Sequence, residues 1–312
     1  MNLFDVIIIG SGPAGLTAGV YTSRANLKTL ILAGETWGGQ LMQTTLVENF
    51  PGFPDGVMGP DLMEKMKAQA EKFGAKIVLE NAVSCHAEFI SASPANAGVN
   101  PRTSREIPKQ VRDDTLFIIN NKYQAKSVII ATGADTQWLG LPNEQKLIGH
   151  GVSSCAPCDG FFFKDKKVAV IGGGDSAMEE ALFLTKFASE VTIVHRRDSF
   201  RASQIMQDRV KANPKIKFLM NTEVADILGQ DKVAGLKFKD GKTIEVDGVF
   251  VAIGHKVNDE LLKNFPNYPT LPDGLFVAGD VIDTKYKQAV TAAAAGCQAA
   301  MDAEKWLSNK NN

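Results

Sequence analysis

The sequence predicts an α/β protein built from two Rossmann-like, three-layer ββα nucleotide-binding domains. Three observations carry the two-domain reading: a glycine-rich turn between an apolar strand and a helix near the N-terminus, a second such unit far downstream, and further short apolar strands that end in small-residue turns. The duplication outweighs any one motif, because each copy matches the same supersecondary pattern independently.

In chain order, Asp5 to Gly10 reads as a short, fully buried parallel strand. Gly10-Ser-Gly-Pro-Ala-Gly15 turns into a helix over Leu16 to Ala25, and Lys28 to Leu32 is the next strand. Pro60 to Phe73 is an amphipathic helix with Leu62, Met63, Met66 and Ala70 on one side. The polar stretch 91–114, rich in Ser, Pro, Asn and Arg, reads as a long surface loop or ragged hairpin. Lys126 to Gly133 is a buried strand with a small-residue turn; Asp247 to Gly254 and Gly274 to Asp280 have the same shape. The second unit runs from strand Lys167–Ile171 through Gly172-Gly-Gly-Asp-Ser-Ala177 to a helix over Met178 to Phe187 and a strand over Glu190 to Val194. Gln288 to Leu307 is an Ala-rich helix suited to close packing.

The 312 residues suffice for two cores. The 44% apolar and 22% charged fractions are those of an ordinary globular chain. A net charge of −1 argues against a general nucleic-acid footprint, which needs clustered excess Lys and Arg. The N-terminus has no basic region followed by a long apolar run, and no stretch suits a membrane span, so a cytoplasmic address and no membrane partner are expected. Four cysteines are too few for a disulfide scaffold; Cys85 and Cys297 stand alone and read as buried apolar fillers.

The first glycine motif stands in its proper strand-to-helix setting. Gly10 allows the tight turn, Gly12 lets backbone approach a pyrophosphate, and Gly15 lets helix and strand pack closely. The acid that would contact a ribose is displaced, since the second strand runs into Ala33-Gly34 and the first acid is Glu35. The second motif, Gly172, Gly174 and Ala177, has the same physics, but its second strand is followed by His195-Arg196-Arg197 and then Arg201. Guanidinium forks suit a 2′-phosphate, so the cofactor is expected to be NADPH; an ordinary solvated basic turn is the alternative.

The third motif is Cys155-Ala-Pro-Cys158-Asp159-Gly160. Two thiols at this spacing close a small disulfide ring, a helix start lowers a thiol pKa, and Asp159 stands where it could move a proton as the ring opens. Half a zinc site and two inert thiols remain alternatives, although zinc usually takes four ligands and no second CxxC or HxxxH exists; no metal is expected. Two nucleotide sites and one dithiol fit a chain of electron carriers. A hydride donor reacts poorly with a disulfide, which calls for a flavin between them.

With these segments in view, the chain resembles the low-molecular-weight thioredoxin reductases of bacteria and some protists. The resemblance rests on Gly10–Gly15, Gly38-Gly-Gln-Leu41, Glu48-Asn-Phe-Pro-Gly52, Ala131-Thr-Gly-Ala134, Cys155–Gly160, Gly172–Ala177, His195–Arg197 with Arg201, and Gly279-Asp280 followed by Gln288-Ala289. The CxxCDG box just before the second nucleotide motif is the most specific of them. The resemblance implies a split FAD-binding domain, 1–136 and 251–312, with an NADPH-binding domain carrying the disulfide, 137–250, inserted in it. It carries FAD contacts onto Gly10, Gly12, Pro13, Ala14, Gly15, Gly39, Gln40, Asn49, Ala131, Thr132, Gly133, Gly279, Asp280, Gln288 and Ala289. NADPH contacts fall on Gly172, Gly174, Asp175, Ser176, His195, Arg196, Arg197 and Arg201. It further implies a homodimer, rotation of the domains between half-reactions, Cys158 nearer the flavin, Cys155 attacking thioredoxin, and Asp159 protonating a leaving thiolate. Two departures from the family pattern are a longer 91–114 stretch and a shorter segment between Gly254 and Gly279. The expected activity is NADPH-dependent reduction of thioredoxin; the same path to another acceptor, or a flavin-bearing redox sensor, are the alternatives.

Overall fold

The computed structural model describes residues 2–90 and 114–311. Within them the chain forms two compact units: Met1–Met42, Asp61–Gly133 and Val257–Asn312 make the first, and Gln43–Pro60 with Ala134–Lys256 make the second. All but its last residue of the expected loop 91–114 lies outside the described residues. Its flanking strands, Cys85–Ile90 and Asp114–Ile119, pair antiparallel with Ile90 opposite Asp114.

The first unit is organised on four parallel strands in the order Lys76–Val78, Thr29–Leu32, Asn2–Ile9 and Tyr123–Ile130. The outer edge of the last strand is divided. Its first half pairs antiparallel with Asp114–Ile119, and its second half pairs parallel with Leu275–Val277. Successive side chains on a strand face opposite ways, and both faces are covered here. Val6, Ile8, Ile31 and Ile129 pack under Leu16, Met63, Ala299 and Ala303 of the helices. Ile7, Ile9, Leu30 and Ile130 pack with Phe117, Leu261 and Phe265 on the other side. Two-sided burial explains why these strands read as unbroken apolar runs.

The helix after the first strand spans Pro13–Arg24 and so starts three residues before the expected Leu16. Gly12 is extended at its N-cap and Pro13 occupies the first turn, where proline's missing N–H costs nothing. Asn26, at φ 60°, ends it, with its N–H donating to the Ser23 carbonyl. The helix Gly59–Lys72 buries Leu62, Met63 and Ala70, as its periodicity predicts. The C-terminal helix spans Ala289–Asn311 and buries Ala292, Ala299, Ala300, Ala303 and Leu307. Cys85 is buried as expected. Cys297 is only half-buried, because the i, i+4 spacing places it beside exposed Met301 on the helix's outer side, its Sγ 3.9 Å from Met301 Sδ.

The second unit has three layers. Its five-stranded parallel sheet runs Val152–Ser153, Gly248–Val251, Lys167–Ile171, Glu190–Val194 and Ile216–Leu219. On one face Val168, Val170, Val191 and Ile193 meet Ala177, Met178, Ala181 and Leu184 of helix Asp175–Leu184 and Met206 and Val210 of helix Gln204–Lys211. On the other, Ala169, Val194, Val249 and Val251 meet Ile227, Val233 and Leu236 of an antiparallel sheet, Val224–Gly229, Val233–Phe238 and Thr243–Glu245. Two layers of strand and one of helix are the expected ββα arrangement. Gln43–Pro60 carries a short antiparallel pair, Leu46–Val47 with Val57–Met58, and groups with this second unit.

Candidate active site

The first glycine turn is held by steric necessity. Gly10 has φ +115°, and a Cβ there would lie 2.2 Å from the Ala131 carbonyl oxygen. A Cβ on Gly15 would lie 2.0 Å from the Gly10 carbonyl oxygen, so helix and turn touch through the missing side chain. At Gly12 nothing lies within 4 Å of the corresponding position. That open space fronts a helix start with no side-chain cap, where free N–H groups suit a phosphate.

Other parts of the first unit converge on this turn. A Cβ on Gly39 would be 3.3 Å from Gly12 Cα, one on Gly279 2.8 Å from Ala14 Cβ, and one on Gly296 2.0 Å from the Ala14 carbonyl oxygen. Ser11 ties the neighbouring loop down: its hydroxyl donates to the Ala33 carbonyl at 2.8 Å and accepts the Gly38 N–H at 2.8 Å. Ala131, Thr132 and Gly133 follow the central strand, and the Thr132 hydroxyl donates to the Asn258 carbonyl at 2.6 Å. Asp280 follows Gly279, and its Oδ1 is buried with no hydrogen-bond partner among the described residues. Burial, with the Asp283 carboxylate adding to it, pushes the Asp280 carboxyl above its ordinary range. Such an orphaned acceptor fits a ligand hydroxyl. Gln288 stands at the start of the C-terminal helix, its N–H donating to Thr291 Oγ1, with Ala289 following. Asn49 lies on Gln43–Pro60, the segment that groups with the second unit.

The second glycine turn repeats the design with different contacts. A Cβ on Gly172 would strike the Ala252 carbonyl oxygen at 2.4 Å and Ala177 Cβ at 2.7 Å; Gly174 faces open space. Gly174 is the extended N-cap of helix Asp175–Leu184, again without a side-chain cap. Gly173 lies against the His195 ring, whose nearest atom would be 2.2 Å from a Cβ. His195 is buried, its Nε2 3.1 Å from the Ser199 carbonyl oxygen, and burial pushes its pKa down, with the three nearby arginines acting the same way. It is therefore a floor for the turn, whereas Arg196, Arg197 and Arg201 are exposed. The N–H groups of Arg201 and Ala202 both donate to the Gly173 carbonyl, which fixes the basic loop beside the turn. Asp175 accepts from the Ser203 N–H at 2.9 Å and hydroxyl at 2.8 Å, and so joins the fingerprint helix to the next one; Ser176 is exposed on the first turn.

Cys155 and Cys158 form a disulfide with Cα atoms 5.2 Å apart. Cys155 is the extended N-cap of the short helix Ala156–Asp159, and its carbonyl accepts the N–H groups of Cys158 and Asp159. Cys155 is half-buried and Cys158 exposed. Ser153, a buried residue that motif reading passes over, accepts the Cys155 N–H at 3.0 Å and bonds the Asp159 side chain. Burial raises the Asp159 pKa, and the Ser153 hydrogen bond opposes that. A second carboxyl also missed, Glu180, is pushed up to about 8 by burial and by the Asp159 charge. Neither Ser153 nor Glu180 belongs to a recognisable motif; the folded chain brings Ser153 to the disulfide turn and sets Glu180 on the helix that Ala156 packs against.

Comparison with known proteins agrees with this geometry. Residues 4–296 match the pyridine nucleotide-disulphide oxidoreductase family. The thioredoxin reductase of Streptomyces coelicolor is 51% identical, over 97% of this chain and 94% of its own. The crystal structure of thioredoxin reductase from Streptococcus pyogenes superposes with a TM-score of 0.84 at 36% identity, covering 98% of this chain and 99% of its own. That from Giardia duodenalis gives 0.82 at 36% identity, covering 99% and 100%.

Proposed function

The chain belongs to the pyridine nucleotide-disulphide oxidoreductase family, and from that premise we propose that it is an NADPH- and FAD-dependent enzyme that reduces the disulfide of thioredoxin through Cys155 and Cys158. The observation that carries this reading is the Cys155–Cys158 disulfide at a helix start, with half-buried Asp159 beside it, in the unit that also holds the Gly172–Gly174 turn and its basic loop.

The residues fit the two cofactors. In the first unit the open face of Gly12, the uncapped helix start and the orphaned Asp280 Oδ1 suit the pyrophosphate and a hydroxyl of FAD. Gly10, Pro13, Ala14, Gly15, Gly39, Gln40, Ala131–Gly133, Gly279, Gln288 and Ala289 complete that proposed site, and the family resemblance assigns Asn49 to the flavin as well. In the second unit the open face of Gly174 suits the NADPH pyrophosphate, and exposed Arg196, Arg197 and Arg201 suit the 2′-phosphate. His195 and Asp175 hold that site in shape, and Ser176 lies on its first turn. The bound cofactors supply a hydride and pass its electron pair to the disulfide.

The protein's own groups then perform thiol–disulfide exchange. The Cys155 thiolate bonds to one sulfur of the substrate disulfide as that S–S bond breaks, and the leaving sulfur takes a proton from Asp159. The Cys158 thiolate next attacks the Cys155 sulfur, which closes the ring and releases the second substrate sulfur as a thiolate. Ser153 holds the Cys155 backbone and Asp159 in one frame. From the family resemblance the proposal includes a homodimer, a cytoplasmic location, rotation between half-reactions, and the division into an FAD domain (1–136 and 251–312) and an NADPH domain (137–250). No helix among the described residues is long and apolar enough to cross a membrane.

A coupled assay tests the reading: NADPH, oxidised thioredoxin and a coloured disulfide. Turnover in the wild type and its loss in Cys155→Ser are expected; no turnover, or full activity in Cys155→Ser, would overturn it.

A further inference from the structure

Glu35, the acid displaced beyond Ala33-Gly34, is held in place by a side chain from another segment. Strands Thr29–Leu32 and Lys76–Val78 pair parallel, with Leu30 opposite Lys76 and Leu32 opposite Val78. Past the strand ends two backbone bonds continue the ladder. The Ala33 N–H donates to the Val78 carbonyl at 2.9 Å, and the Gly34 N–H to the Glu80 carbonyl at 3.2 Å. Gly34 has φ +80°, and the chain turns there. The next bond is made by a side chain: the Glu35 N–H donates to Asn81 Oδ1 at 3.1 Å. Glu35 is exposed and stands 20 residues after Gly15. A dinucleotide fold places its ribose-binding acid about 20 residues beyond the glycine turn.

Asn81 is itself fastened. Its carbonyl accepts Asn120 Nδ2 at 2.8 Å, and the same nitrogen donates to Glu80 Oε1 at 3.1 Å. Asn120 Oδ1 accepts the Val83 N–H at 2.8 Å and the Ser84 N–H at 3.3 Å. One amide, on a residue at φ 53°, thus ties four residues of the segment 80–84. Lys122 Nζ and the Tyr123 hydroxyl complete the frame, donating to Glu80 Oε2 at 2.5 and 2.9 Å. The fastened segment borders open space. Val83 is 76% exposed, although large and apolar. With Ala82 it lines a cavity of about 420 Å³ whose walls include Thr132 and Asn258. Thr132 belongs to the FAD site proposed above. A carboxylate fixed before the ligand arrives avoids an ordering cost at binding.

We propose that Asn120 and Asn81 are positioning residues for the adenosine half of FAD: Asn120 fastens the segment 80–84, Asn81 fixes the backbone of Glu35, and the Glu35 carboxylate so placed accepts the ribose 2′-hydroxyl. This rests on the FAD reading of the first glycine turn. Neither asparagine touches the flavin in this account; both act through Glu35.

The test measures flavin affinity of the full-length protein stripped of flavin, by the change in flavin fluorescence and without turnover. The titrants are FAD and an FAD whose adenosine lacks the 2′-hydroxyl. Wild type should prefer FAD about tenfold, the worth of a hydrogen bond to a charged group. Asn81→Ala and Asn120→Gly should bind FAD about tenfold more weakly and prefer it to the analogue by less than about twofold. Glycine keeps the left-handed φ at position 120 without strain, so that variant removes the amide alone. Asn81 is exposed, and its variant serves if Asn120→Gly does not fold. In Glu35→Ala the preference should be gone, and adding Asn81→Ala should weaken FAD no further. A merely structural defect would weaken both flavins alike and leave the preference standing. That result, variants that match wild type, or additive losses in the double variant would overturn the proposal. Wild type that binds both flavins equally would overturn it and leave the FAD reading intact; wild type that binds neither would overturn both.

Discussion

The contact between Gly173 and His195 makes a quantitative prediction about the second nucleotide turn. In Gly173→Ala the added methyl would lie 2.2 Å from His195 Cε1, 2.3 Å from Nδ1 and 2.7 Å from Nε2. Carbon contacts are comfortable at about 3.5–4.0 Å, so the ring must move by more than an ångström. It has little room: His195 is 7% exposed, packs on Phe200 with ring centroids 5.4 Å apart, and has its Nε2 3.1 Å from the Ser199 carbonyl. Overpacking a buried site costs about 1–3 kcal/mol, and losing the ring's hydrogen bond adds about 1 kcal/mol. The expected destabilisation is therefore about 2–4 kcal/mol. Gly173 does not have a positive φ, so the penalty is steric and should depend on the imidazole. The assay is urea unfolding of wild type, Gly173→Ala, His195→Ala and the double variant. Once the ring is gone the methyl should cost little, which gives a coupling energy of about 1–3 kcal/mol between the two sites. Additive effects, or a Gly173→Ala protein within about 0.5 kcal/mol of wild type, would refute the reasoning.

Three further outcomes follow from the same structure. Arg196→Ala should raise the KM for NADPH roughly ten- to hundredfold, the worth of a charge-assisted hydrogen bond to phosphate, and leave the KM for NADH unchanged; an equal effect on both cofactors in steady-state kinetics would remove Arg196 from the 2′-phosphate site. Asp280→Ala should weaken flavin binding by about 1–3 kcal/mol, because its orphaned oxygen is then no longer available to a ligand hydroxyl; full flavin retention after dialysis would show that this oxygen faces no ligand. The raised pKa of Glu180 also makes stability depend on pH. Between the ordinary 4.5 and about 8 the folded chain holds a proton that the unfolded chain has released, so stability is greatest below the window and falls as pH rises through it. Urea midpoints across that range should fall less steeply in Glu180→Gln, and identical slopes would refute the assignment.

The parts of the fold that are legible in sequence are those with short-range causes. Val6–Ile9 and Val168–Ile171 announce buried strands because both sheet faces are covered, and the two glycine turns announce themselves because only glycine permits Gly10 and Gly15 to touch their neighbours so closely. The Cys155–Cys158 pair is equally local. What escapes is set by tertiary approach. Gly173 looks like filler between two motif glycines until His195 is placed against it, and His195 looks like one more basic residue until its burial is known. Ser153 and Glu180 carry no pattern that would mark them, since the disulfide turn and the helix after the second glycine turn meet only when folded. Gln43–Pro60 has no periodicity that would assign it to the second unit.

The approach of Gly296 to Ala14 has a consequence for the order in which the chain can fold. Helix Ala289–Asn311 lies against the start of helix Pro13–Arg24, with a Cβ on Gly296 only 2.0 Å from the Ala14 carbonyl. Helix Pro13–Arg24 thus waits for a helix made much later before the core they share is closed. Every part of the second unit, by contrast, has been made once Lys256 has left the ribosome. Domains generally fold as units during synthesis, so the unit carrying the disulfide can be complete while the unit holding the first glycine turn is still open. A stop codon before Gly296 would spare the former and leave the latter without its closing helix, although the glycine turn near the N-terminus would be intact in sequence.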